Sequence, residues 1–185
     1  MSADTTQANT PPSANDEPSP EAIHRVKQAE SIIRKFVLLS IGAGAIPVPI
    51  FDVAASIGLQ LKLIQELSDL YEMDHRDDLA RNAIGTLLTT TVGLMVGSRI
   101  NIGASMAKLV PGFGTKIGIV KTAVFFGAST HISGKVLIMH FEAGGNLLDF
   151  NPHAMREYFR KEFSNSERYV YRIHDELRRA ATATA

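Results

Sequence analysis

A chain of 185 residues has the length of one domain with one core. Its 19 Lys and Arg cancel its 19 Asp and Glu, which leaves no basic footprint for nucleic acid, and the absence of Cys excludes disulfides, thiolate metal sites and a cysteine nucleophile. Hydrophobic residues make up 45% of the chain and charged residues 21%, slightly greasy for a soluble domain although Trp is absent.

Residues 1–18 are Ser, Thr, Asn, Asp, Gln and Pro with almost nothing to bury, so they read as a disordered tail. With Asp4, Asp16 and Glu17 and no apolar run, this tail is not expected to act as a secretory signal. Residues 19–183 read as a single helical domain. Ser19-Pro20-Glu21 supplies an N-cap, a proline for the first helical position and a first-turn acid. The helix that follows, expected from about Pro20 to Ile41, is charged in its first half and apolar from Phe36 to Ile41. Gly44, Pro47 and Pro49 then form an apolar hinge, because the prolines lack an amide hydrogen and push the residues before them towards extended conformations.

A second helix is expected from Asp52, with Asp52 as its N-cap or as a polar group held in an apolar layer. At about 100° per residue, Ile57, Leu61, Ile64, Leu67 and Tyr71 share one face with Leu59, Leu63 and Leu70 beside them. Lys62, Gln65, Glu66, Asp69 and Glu72 take the other. Such a helix is buried along most of its girth, in protein or in lipid.

Asp74-His-Arg-Asp-Asp opens a third helix that becomes an uncharged run over residues 83–97, short of the roughly 20 residues a straight membrane span requires. A short helix over Asn101–Val110 is stopped by a second apolar turn at Pro111, Gly112 and Gly114. A long helix follows from about Thr115 to Ala143 and ends at Gly144-Gly145. A charged amphipathic helix closes the chain from Pro152 to about Ala180, with a break expected near Ser164-Asn-Ser166. No segment alternates with period two. The expected fold is all-α, about six helices arranged as hairpins joined by apolar Gly/Pro turns and suited to membrane association.

Candidate chemistry is sparse. Gly127 to Lys135 is too long for the G-x-x-x-x-G-K-[ST] spacing of a phosphate-binding loop, has Val136 where the hydroxyl should stand, and lies in a predicted helix. The six histidines do not converge: His131 and His140 fall about 180° apart on one helix, so a shared metal is not expected. A lone His among apolar residues is usually a hydrogen-bonded core residue, and His140 beside Glu142 reads as a surface pair or as a pH-responsive group at an apolar boundary. The Gly93/Gly97 and Ala123/Gly127 pairs fit close helix packing.

Residues 44–55, Gln60-Leu-Lys62-Leu-Ile-Gln-Glu66-Leu-Ser-Asp-Leu-Tyr71, Val110-Pro111-Gly112-Phe-Gly114-Thr115, Ile132-Ser-Gly134-Lys135-Val136 and His140-Phe141-Glu142-Ala-Gly144-Gly145 together resemble the YcjF-like, GTPase-associated family of unknown function. The resemblance covers about residues 30–160 and implies a helical, often membrane-associated domain found beside or fused to a small GTPase, with no established activity. This chain carries no GTPase domain of its own, so the GTPase would be a separate protein.

The expectation is a non-enzymatic helical module without cofactor. It associates with the bacterial inner membrane with its termini towards the cytoplasm, and its partners are membrane lipids, a GTPase and further copies of itself. The alternative is a soluble bundle that encloses a lipid or another hydrophobic ligand.

Overall fold

The computed structural model describes residues 19–44, 49–73, 113–151 and 155–183. They form four helices and no strand: α1 (Pro20–Gly44), α2 (Pro49–Leu70), α3 (Phe113–Glu142) and α4 (Arg156–Ala183). The all-α expectation holds, whereas six helices are not matched. The helix expected from Asp74 and the short one over Asn101–Val110 lie outside the described residues, as do Pro47, Pro111 and Gly112.

Local chemistry accounts for the helix ends. The Ala22 amide donates to Ser19 Oγ at 3.1 Å, which is the N-cap bond the sequence calls for. Helix α3 ends in a Schellman turn: the Gly145 amide reaches the His140 carbonyl at 3.0 Å and the Gly144 amide that of Phe141 at 2.9 Å, with Gly144 at φ 81°. The same turn closes α2, where Met73 bonds to Ser68 at 2.8 Å and Glu72 to Asp69 at 3.2 Å. There the left-handed position, φ 53°, is held by Glu72.

Helix α1 runs three residues past Ile41 to Gly44, the residue at which the apolar hinge is expected to stop it. Two boundaries differ from expectation. Helix α2 starts at Pro49, whose fixed φ suits the first helical position, so Asp52 lies inside the helix and does not cap it. The expected break at Ser164–Ser166 is absent from α4 because Ser166, 2% exposed, sits in the α3 interface with its hydroxyl bonded to His131, leaving no reason for the backbone to turn.

Helix α3 is the centre and packs on all three others, while α1 and α4 barely meet. Every residue from Thr122 to Thr130 is buried, so this helix presents no surface to water over more than two turns. Against it lie Ile33, Phe36, Val37 and Ile41 of α1, Leu63, Ile64 and Leu67 of α2, and Phe159, Phe163, Val170 and Ile173 of α4. The approach is closest at two glycines. A Cβ on Gly134 would meet Ile33 Cγ1 at 2.5 Å, and one on Gly127 would meet Val170 at 2.9 Å and Ile41 at 3.2 Å. Gly127 thus marks a close helix contact, with Ala123 buried one turn before it; Gly93 and Gly97 lie outside the described residues.

The pairings Arg25–Glu142, Glu30–Lys135 and Ser40–Thr130 make α1 and α3 antiparallel, and Arg25–Tyr71 with Lys35–Glu66 does the same for α1 and α2. Ion pairs therefore tie α1 to each of the other helices, Arg34–Glu176 at 3.6 Å being the link to α4. Ile57, expected on the buried face of α2, is 36% exposed, and the core stripe instead runs Gln60, Leu63, Ile64, Leu67, Ser68, Tyr71. Among the described residues no helix is long and apolar enough to cross a membrane.

Candidate functional site

The residues singled out from the sequence separate into three groups. Gly44 ends α1, Pro49 begins α2, and Asp52 and Gly114 lie within helices at the same end of the bundle. A second group lies along the helix interfaces. Gln60 is 2% exposed and its Nε2 has no hydrogen-bond partner among the described residues; Lys62 is exposed. Glu66 accepts two bonds from Lys35 Nζ, at 2.7 and 2.9 Å, and Lys135 donates to Glu30 at 2.9 Å beside Gly134.

The third group converges at the opposite end, where α1 begins and α2 and α3 finish. Tyr71 is buried and packs on Phe141, ring centroids 5.3 Å apart. The Arg25 guanidinium lies 5.1 Å from the Tyr71 ring centroid and bonds Glu142 Oε1 at 3.3 Å. Burial, with the Glu142 carboxylate close by, pushes the Tyr71 phenol above its usual range. His140 does not pair with Glu142. Its Nε2–H donates to the Asn146 carbonyl at 2.8 Å and reaches Asp149 Oδ1 at 3.2 Å, and Phe150 meets the ring edge-on at 5.1 Å.

Around that imidazole the chain turns back towards α4. The Asn146 amide donates to Asp149 at 2.7 Å and the Leu148 amide to Asn146 Oδ1 at 2.7 Å. The first of these bonds, more than the histidine, holds the Asp149 carboxyl below its ordinary range. Gly145 has no room for a side chain, since a Cβ there would run into the imidazole. His140, Gly144 and Gly145 thus build a turn, and Phe141 and Glu142 clamp it to α2 and α1. Arg25, Asn146 and Asp149 complete the cluster; sequence reasoning missed them because their partners are distant or their roles belong to a turn not yet folded.

A second polar site opens between α1 and α4 over α3, a cleft of about 390 Å³ that includes Glu30, His131, Lys135, Tyr169 and Arg172. His131 Nδ1 lies 2.9 Å from Ser166 Oγ, and its ring stacks on Tyr169 at 4.2 Å. Burial first, then the Lys135 charge, lowers its pKa to about 4, with Glu30 acting in the opposite direction. A serine bonded to a histidine is half of a nucleophilic pair, but here the serine is 2% exposed and the imidazole is too weak a base at neutral pH to activate it. This is the hydrogen-bonded, part-buried histidine that its apolar neighbours predict. The segment from Gly127 to Lys135 is helical throughout and cannot cradle a phosphate in the manner of a nucleotide loop.

A profile described as "Domain of unknown function (DUF697)" matches residues 22–168. The chain belongs to this family. It is also 34% identical, over 156 residues, to Magnetosome membrane protein 22 of Magnetospirillum gryphiswaldense, an alignment that takes in 84% of this chain and 79% of that protein. No solved structure matches. The family match begins two residues into α1 and ends within α4, so it embraces the clustered helix ends and most of the cleft.

Proposed function

We propose that the protein is a non-enzymatic helical module that associates with the bacterial inner membrane and serves a GTPase system as a separate accessory subunit. The observation that carries the reading is the similarity, over most of both chains, to a relative named as a membrane protein. The bundle's polarity agrees with it. One end is closed by Arg25, Tyr71, Glu142 and the His140 turn, whereas α1 leads from charged to apolar residues at the other, where Leu39 of α1 and Ile57 of α2 are 47% and 36% exposed. In this reading the apolar end faces the bilayer and the termini face the cytoplasm. Lipids, a small GTPase and further copies of the chain are its partners. The GTPase rests on the motif resemblance alone.

The charged lining of the α1–α4 cleft does not favour the alternative of an enclosed lipid tail, which needs apolar walls. Membrane fractionation of the expressed protein, with carbonate and high-salt washes of the pellet, tests the main reading. Retention through both washes is expected for association through apolar surface. Release by salt alone would transfer the anchor to surface charge, and a wholly soluble protein that ignores liposomes would end the reading.

A further inference from the structure

We propose that the groove between α1 and α4 seats α4 of a second copy of this chain, antiparallel and two-fold symmetric. On α4 the residues Phe159, Phe163, Ser166, Val170 and Ile173 face the core of the bundle at alternating spacings of four and three. One position earlier, Tyr158, Glu162, Asn165, Tyr169 and Arg172 repeat that spacing and line the groove. At about 1.5 Å per residue the second stripe is about 21 Å long. A stripe of this length and period matches the seam of a helix pair and is far longer than a compact ligand needs.

The chemistry of the stripe complements itself. Among the described residues the Arg172 guanidinium has no carboxylate partner and the Tyr169 hydroxyl has no hydrogen bond. Among the same residues Glu162 is bound only by Asn165 Nδ2, at 2.6 Å, and Asn165 Oδ1 accepts from Arg168, which leaves one amide hydrogen of Asn165 without a partner there. In an antiparallel pair with Glu162 opposite Arg172 of the second copy, Asn165 stands opposite that copy's Tyr169. Symmetry repeats both contacts. The Arg172 guanidinium gains a carboxylate and the free Asn165 amide hydrogen gains the Tyr169 oxygen, and no two like charges of the stripes stand opposite one another. Sliding the pair by one heptad separates both of these contacts. An isologous interface of this kind closes at two copies.

The contact is independent of the membrane reading and is tested on the purified full chain by sedimentation. The wild type is expected to dimerise. Glu162→Arg and Arg172→Glu, each changing a side chain outside the core, are expected to weaken the dimer about tenfold or more, and the two substitutions together to restore it, because the reversed charges then pair across the axis. A monomeric wild type, single reversals without effect, or a double variant that stays monomeric would overturn the proposal. Cysteine pairing gives a second test, since the chain has no thiol of its own. Asn165→Cys mixed with Tyr169→Cys is expected to give a mixed disulfide dimer faster than either variant alone, and equal rates in all three samples would count against the register.

Discussion

At the scale of single residues, the described chain shows what close packing and buried polar groups cost. Gly134 lets α1 lie against α3, and a methyl there has Ile33 Cγ1 at 2.5 Å and Cδ1 at 2.7 Å to displace. Gly134→Ala is therefore expected to destabilise by about 1–3 kcal/mol. In a double-mutant cycle with Ile33→Ala the two losses should fall short of additivity, since the second change removes the atoms the first collides with; chemical denaturation measures both. Glu72 presents the opposite case, a side chain held at φ 53° where glycine is strain-free. Glu72→Gly is expected to raise stability by about 0.5–1 kcal/mol, and a fall would mean that the carboxylate makes a compensating contact.

His131 carries a pH dependence with a definite sign. Its pKa is about 4 in the fold against 6.5 for the free side chain, so between these values the unfolded chain binds the extra proton. The stabilisation is complete above about pH 6.5 and is lost progressively as the pH falls towards 4. Allowing for the partial exposure of the ring, it is of order 1–3 kcal/mol. The melting temperature of the wild type should fall relative to that of His131→Gln as the pH drops from about 6.5 to about 4; parallel curves would remove the histidine from the account.

At the scale of the helices, the outline was legible in the sequence wherever a boundary depends on local chemistry. Ser19 before Pro20, and Gly144 after the last turn of α3, act on the backbone within four residues of themselves, and both ends fall where those residues place them. The faces were harder to read because burial is decided by the neighbouring helix. Ile57 is part-exposed while Gln60 and Ser68 are buried, and a hydrophobic wheel ranks these three in the opposite order. The apolar stripe of α2 accordingly carries polar atoms without a partner among the described residues at Gln60 Nε2 and Ser68 Oγ. Each costs about 1–3 kcal/mol relative to a satisfied group. Gln60→Leu is expected to stabilise the fold by about 1 kcal/mol, and urea midpoints will show it; a loss would reveal a partner for the amide, such as a buried water.

At the scale of the whole molecule, the motifs of residues 132–145 turned out to be architectural. They supply the close approach at Gly134, the Lys135–Glu30 tie and the turn around His140. The cleft drew no notice from the sequence because its lining alternates between three helices and only α4 contributes a regular spacing. The candidate site was thus half visible, as a set of motif residues without their partners. The surface ion pairs on α1, worth about 0–1 kcal/mol each, orient the helices more than they hold them.

The apolar half of α1 has its main covering in α3, which ends about 100 residues later in the chain. At about 5–20 residues per second, a ribosome needs some 5–20 s to make that covering after α1 has emerged. Throughout this interval, of the described residues, the α1–α2 hairpin alone is present to shelter Phe36, Val37 and Ile41. Any apolar phase near the exit tunnel then competes with α3 for the same surface, and where the nascent chain lands is decided by timing before equilibrium has any say.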